Sequence, residues 1–199
     1  YINITVLSLK MSHRTAEKSI IDYNWYISKI YAFEWIPGEV RWFIDGNEVY
    51  SQSGNHIDSL VHAQKIMMNT WASIYESWVG PFNIENLPVY SFYDYVSYYE
   101  YTPSTGDYGT NNDFSFSWTD NFDSWDQNRW TKENHTFWGN RCQFNPSNAV
   151  FQDGYLILCL TNLNELGYNG DSPSDNIYGC MDTDAINYNP NADQDSGLC

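Results

Sequence analysis

Apolar and polar residues alternate along this chain in short runs, and most runs are closed by Gly, Pro, Asn or Asp. A period of two fits strands, whose successive side chains point to opposite faces. Val40 to Ile44, the pair Asp45-Gly46 and Glu48 to Tyr50 predict a hairpin, because Asp-Gly supplies the positive φ of a tight turn. Ala149 to Gln152, Asp153-Gly154 and Tyr155 to Leu160 predict a second one. Its arm Tyr155-Leu-Ile-Leu-Cys-Leu160 is apolar on both faces and is expected to lie between two layers. Val89 to Tyr101 reads as one long aromatic strand ending before Pro103. Helical periodicity is weak, and Ile57 to Gln64 has room for a turn or two. Short strands punctuated this way predict an all-β fold, a β-sandwich of jelly-roll type.

Composition sharpens this picture. With 199 residues the chain can hold one cored domain and a small appendage. Aromatic residues are 18% of it, an excess that favours strands and also suits sugars, whose apolar faces stack on rings. The formal net charge of -16 repels phosphate backbones, so nucleic acid is excluded as a natural partner, whereas a neutral polysaccharide or a bound cation is compatible. No apolar run approaches the roughly 20 residues of a membrane helix. The chain opens at Tyr1 with Ile2 to Leu7 already strand-like and no signal segment before it, so it is expected to begin in mid-domain.

The four cysteines show no Cys-x-x-Cys spacing of the zinc kind. Cys180 and Cys199 bracket an acidic, loop-rich tail, which predicts a disulfide staple made in an oxidising compartment, outside the cell or on its surface. Cys142 and Cys159 each fall in an expected strand and are compatible with a bridge or with buried thiols. Asn3 and Asn134 head Asn-x-Thr acceptor sequences.

Candidate chemistry begins at Lys65-Ile-Met-Met-Asn-Thr-Trp71. As a strand it puts Met67, Asn69 and Trp71 on one face and Ile66, Met68 and Thr70 on the other. An amide and an indole together offer hydrogen bonds and a stacking platform for a sugar; a mixed core face with a bonded Asn reads equally well from these residues alone.

A series of blocks decides between them. Glu34-Trp-Ile-Pro-Gly-Glu-Val-Arg-Trp-Phe-Ile-Asp-Gly46, Trp71 to Phe82 with Trp78-Val-Gly80, and Leu87-Pro88 followed by Phe92-Tyr-Asp-Tyr-Val96 come first. Trp118-Thr-Asp-Asn-Phe-Asp-Ser-Trp-Asp-Gln-Asn-Arg-Trp130, Gly139-Asn-Arg141 and Asp153-Gly-Tyr-Leu-Ile-Leu158 come after. Together they resemble the lichenases of glycoside hydrolase family 16 in circularly permuted order, with the ending ahead of the beginning, over about Tyr1 to Thr161. The resemblance implies a partial, permuted jelly roll. Residues 1–104 correspond to the C-terminal half, 105–113 to the linker joining the old termini, and 114–162 to the N-terminal strands; 163–178 lead to the Cys-bracketed module at 179–199.

It further implies that Asn3, Glu17, Asn69, Trp71 and Asn140 line a β-glucan cleft, Glu17 reading otherwise as a solvated loop carboxylate. It places Asp94, with the backbone carbonyls of Asn121 and Gly154, at a structural calcium site, although Asp94 by itself reads also as a paired carboxylate; calcium takes hard oxygen donors of this kind. Catalysis needs no cofactor. Two departures concern specificity. The permuted members carry a stacking Trp at His135, a role open to nearby Trp138, and an Arg at Met67.

Retaining hydrolysis in this family uses a Glu-x-Asp-x-Glu strand, whose period of two puts nucleophile and acid/base on the cleft face about 5–5.5 Å apart. None of the nine Glu residues here has an Asp two positions later, and the permuted order puts that strand just upstream of Tyr1. The expectation is a retaining endo-β-1,3-1,4-glucanase seen without its catalytic carboxylates, secreted or at the cell surface, monomeric, with β-glucan as partner. The alternatives are a non-catalytic glucan-binding module on the same sandwich, and a surface structural protein acting through its tail. That tail carries Asp182, Asp184, Asn187, Asn189, Asn191, Asp193 and Asp195, a density calcium could use and a solvated polar loop would equally show.

Overall fold

The long aromatic strand is the axis of the molecule. A computed structural model describes residues 5–15, 29–171, 178–179, 181–185 and 194–195. In chain order the strands are β1 (Thr5–Thr15), β2 (Lys29–Ile36), β3 (Glu39–Ile44), β4 (Asn47–Ser53), β5 (Val89–Tyr101), β6 (Phe114–Asp120), β7 (Ala149–Gln152) and β8 (Tyr155–Leu160). They form one eight-stranded antiparallel sheet in the order β4-β3-β2-β1-β5-β8-β7, with β6 also paired to β5. In the tail, β9 (Tyr178–Gly179) and β10 (Gln194–Asp195) pair in parallel. The all-β expectation holds. Among the described residues the layer opposite the large sheet is built from irregular segments.

Both hairpins form where Asp-Gly predicts them. Asp45 and Asp153 have φ of 50°, Gly46 and Gly154 of 77°, so both central turn residues are left-handed and match the twist of the flanking strands. β5 meets β1 along its whole length, but on its other edge it pairs first with β8, from Val89 to Tyr93, and then with β6, from Val96 to Tyr101. At the changeover the register with β1 shifts between Lys10 and Met11, opposite Tyr95 and Tyr93, leaving Asp94 as the extra residue of a bulge.

β8 is covered on both faces, as its unbroken apolar run requires. Ile157 and Cys159 pack with Phe92 and Tyr168, while Leu156 packs with Tyr93, Val96 and Phe122. Tyr168 belongs to the polar stretch after β8, and its ring meets Tyr90 and Phe92 at 4.7 and 5.4 Å. Burial pushes the Cys159 thiol and the Tyr93 phenol each up to about 12, since neither anion is solvated there. A smaller core of Trp35, Val40 and Ile57 lies over β2 and β3.

The 102–113 segment is folded down onto the sheet. Tyr108 stacks on Tyr99 at 4.2 Å, and the Thr110 amide donates to Oε1 of buried Glu34 at 2.9 Å. A Cβ at Gly109 would lie 2.7 Å from that carboxylate oxygen, so only glycine fits.

Ile57 to Gln64 holds the end of one helical turn, α1 (Asn55–Asp58), and the Leu60 amide donates to the Ile57 carbonyl at 2.9 Å, within the turn or two expected. Two expectations need correction. Cys142 lies in an irregular segment, because residues 141–145 follow a sharp turn at Gly139 (φ 94°) and find no ladder partner. Lys65 to Trp71 forms no ladder among the described residues and is not a strand. Cys142 and Cys159 are free thiols. Cys180 and Cys199 lie outside the described residues.

Candidate functional site

Two irregular segments joined by a backbone bridge carry the exposed aromatic residues of interest, and the first packs on β5. The first is 65–79. Its burial alternates with a period of two: Ile66, Met68 and Thr70 are half-buried, and Met67 and Asn69 are exposed. The inward residues explain the register. Met68 packs on the Tyr93–Leu156 cluster, and the Thr70 hydroxyl donates to Ser91 Oγ at 3.0 Å. The predicted facing is therefore present although no ladder forms along 65–71 among the described residues. Side chains, not backbone pairing, set it.

The second segment is 134–144, and it is sewn to the first by backbone. Ser73 and Asn140 form an isolated bridge, the Ile74 amide donates to the Gly139 carbonyl at 2.9 Å, and the Arg141 amide donates to that of Ala72 at 2.8 Å. Arg141 reinforces the join through Nε to the Ser73 carbonyl at 3.0 Å and Nη2 to Glu76 at 2.9 Å. Asn69, Trp71 and Asn140 are thus brought into one neighbourhood. Asn140 Oδ1 accepts from the Cys142 amide at 2.9 Å, while its Nδ2 is buried without a partner. A buried amide with a spare donor is costly unless something accepts from it. Asn3 and Glu17 lie outside the described residues.

Trp71 is half-buried between Phe137, edge-on at 5.0 Å, and Trp78 at 6.1 Å. Trp78, Tyr75 and Trp138 are exposed, so the ridge presents ring faces to solvent. Phe137 and Tyr75 escaped the sequence reading. The signal available was the density of rings at 71–82 and 135–144, which only the Ser73–Asn140 bridge turns into one surface. His135 is turned away: its ring meets Phe144 edge-on at 5.6 Å and its Nδ1 lies 3.3 Å from Glu133.

The 118–130 motif has a structural task. Asp120 accepts from Trp130 Nε1 at 2.6 Å and from the Phe122 amide at 2.9 Å, with Arg129 at 3.7 Å. Arg129 also sits 3.8 Å over the Trp118 ring. Next to this hub, Lys132 donates to the Ala149 carbonyl at 2.5 Å, and burial lowers its pKa.

The backbones of Asp94, Asn121 and Gly154 fall in neighbouring elements. The Asp94 bulge lies where β5 leaves Leu156 of β8 and joins Asp120 of β6; Gly154 immediately precedes β8 and Asn121 immediately follows β6. A Cβ at Gly154 would come within 3.9 Å of the Asn121 carbonyl oxygen and 3.8 Å of Asp123 Oδ1. These residues carry a carboxylate and two carbonyls, donors of the hard type that calcium takes. No three His, Cys, Asp or Glu side chains cluster as metal ligands among the described residues. No helix among them is long and apolar enough to cross a membrane.

The fold and this surface define an antiparallel β protein with a ridge of exposed rings and amides, suited chemically to the apolar faces and hydroxyls of sugars. The chain is homologous to bacterial β-glucanases. It is 41% identical over 145 residues to a β-glucanase of Fibrobacter succinogenes, covering 73% of this chain and 41% of the relative. A β-glucanase of Brevibacillus brevis is 41% identical over 69 residues, 34% of this chain and 26% of the relative. One from Bacillus subtilis is 38% identical over 69 residues, 34% and 27% respectively. The chain therefore spans about two fifths or less of the length of these relatives. No protein-family model matches it.

Proposed function

We propose that this chain is part of a retaining endo-β-1,3-1,4-glucanase of glycoside hydrolase family 16, built as a circularly permuted jelly roll and acting outside the cell. The observation that carries this reading is the Ser73–Asn140 bridge, which joins the segment of Asn69 and Trp71 to that of Asn140 beside exposed aromatic rings, in a chain homologous to β-glucanases. Trp71 serves as a stacking platform for a glucose unit, and the exposed Asn69 amide hydrogen-bonds its hydroxyls.

The nucleophile and the acid/base belong, on this reading, to a Glu-x-Asp-x-Glu strand in the remainder of the protein. Asp94, Asn121 and Gly154 hold a structural calcium ion, which joins three separate turns and takes no part in bond cleavage.

The test compares the full-length protein with the 199-residue chain on lichenan. Reducing sugar released by the full-length protein alone is the expected result. Release by the 199 residues alone would overturn the catalytic assignment. The absence of any Glu-x-Asp pair favours a second reading, a glucan-binding module without activity; it predicts retention of both proteins by insoluble β-glucan with no hydrolysis by either.

A further inference from the structure

We propose that Tyr90 and the 163–170 segment form a second saccharide site, on the face of β5 opposite the segment of Asn69 and Trp71, which holds the polysaccharide away from the place of cleavage. The identity of the sugar rests on the glucan reading above; the site itself is a cleft which that reading does not use. The cleft has a volume of about 540 Å³, and its lining includes Pro88, Tyr90, Tyr168, Asn164, Glu165 and Asn169.

Its placement follows from the strand. Successive side chains of β5 point to opposite faces. Ser91 accepts from Thr70 and Tyr93 clusters with Met68, so these two face the 65–71 segment. Tyr90 and Phe92 face the other way and pack against the ring of Tyr168. The sheet therefore stands between the cleft and Trp71.

The walls are held in place. Tyr168 is buried, and its hydroxyl donates to the Asp171 carbonyl. The Gly167 amide donates to Asn148 Oδ1 at 2.8 Å, and the Gly170 carbonyl accepts from Gln152 Nε2 at 3.0 Å. A Cβ at Gly170 would lie 2.6 Å from the Tyr168 hydroxyl, so only glycine lets the chain close over that ring. On this pinned segment Asn164, Glu165 and Asn169 are exposed, and their side chains make no hydrogen bond or ion pair among the described residues. A segment already fixed loses little freedom on binding.

Two amides can donate and accept, a carboxylate accepts from hydroxyls, and the half-buried Tyr90 ring adds an apolar wall. That set matches the hydroxyls and the apolar face of a neutral sugar. Glu165 and a formal net charge of -16 repel an anion, and one carboxylate is too little to hold a divalent cation.

The experiment uses the full-length protein, measuring retardation in a lichenan-containing gel run in the cold and cleavage of a soluble mixed-linkage tetrasaccharide. Asn164→Ala combined with Asn169→Ala is expected to weaken lichenan retention about 10-fold, the scale of two lost hydrogen bonds, and to leave tetrasaccharide cleavage unchanged. Trp71→Ala should lower cleavage and keep part of the retention. Retention of the double variant equal to that of its parent overturns the second site and leaves the glucan reading standing, as does complete loss of retention in Trp71→Ala. An equal fall of cleavage and retention in the double variant overturns the assignment to the opposite face. A parent protein that neither binds lichenan nor cleaves the tetrasaccharide removes the glucan reading and this site with it.

Discussion

β8 and the 65–71 segment are extended stretches of similar length that touch the same strand, yet they are held by opposite means. Residues 155–160 are locked by ladders on both sides, to β5 and to β7, and are covered on both faces. Residues 65–71 have no ladder among the described residues and are hooked to β5 through Met68 and Thr70. The first arrangement stabilises the fold and leaves no side chain free for a ligand. The second gives every other side chain to solvent and depends on whatever else covers it. The proposed glucan contacts fall on the more loosely held of the two.

The largest effect should come from breaking the buried side of this contrast. Phe92 is fully buried and its ring meets Tyr90, Tyr155 and Tyr168. Phe92→Ala should lower the stability of the full-length protein by about 3–5 kcal/mol, read from urea unfolding. Trp71→Ala, at the half-buried ridge, should cost much less stability and far more glucan affinity. Equal losses of stability from the two would erase the distinction.

Next in size is the Asp120 hub. Asp120→Ala strands the Trp130 indole N–H and the Phe122 amide and removes a partner of Arg129. A loss of about 2–3 kcal/mol is expected, because hydrogen bonds to a charged acceptor are at the strong end and their donors sit near the core. Trp118 and Trp130 fluorescence should report it, and an Asp120→Ala protein as stable as its parent would show that the 118–130 motif has some task other than holding the corner.

These two sites also mark what could be read from the sequence. Both Asp-Gly hairpins, the bounds of β5, β7 and β8, and the double-sided burial of residues 155–160 follow from local turn chemistry and side-chain alternation, which act over a few residues. The alternate facing of 65–71 was legible for the same reason. The absence of a ladder there was not, since pairing depends on partners distant in sequence. Likewise the contacts Tyr75–Trp138 and Trp71–Phe137 arise from a single bridge between residues 67 apart, Ser73 and Asn140, which no local pattern announces. The turn at Gly139 similarly removed Cys142 from its expected strand.

A smaller test sharpens the contrast on the side of the loosely held segment. Thr70→Val keeps the shape of the side chain and removes the hydroxyl that donates to Ser91. Stability should fall by about 1 kcal/mol, the net worth of one neutral hydrogen bond. If side chains alone keep the register of 65–71, affinity for lichenan oligosaccharides should fall as well, through Asn69 and Trp71. A stability loss with unchanged affinity would mean that the segment is positioned by something other than the Thr70 hook.

The smallest expected effect lies at the far end of the sheet, where a surface pair joins two positions of one strand. Arg41 Nη2 donates to Glu39 Oε2 at 2.7 Å, and this hydrogen bond holds the Glu39 carboxyl below its ordinary value of 4.5. A folded-state pKa below the unfolded one means that the ionised form is favoured by folding. The stabilisation is therefore fully present above about pH 4.5 and is lost as pH falls through the lowered value. Asp45 is depressed in the same direction by Lys29, 2.6 Å away, so the acid limb of the unmodified protein contains both. The difference between parent and Glu39→Gln isolates the first. It should amount to less than about 1 kcal/mol at pH 7, as exposed pairs do, and vanish as pH falls below that lowered value. A difference that persisted undiminished in acid would trace the effect of Glu39 to packing along the edge of β3 and not to its charge.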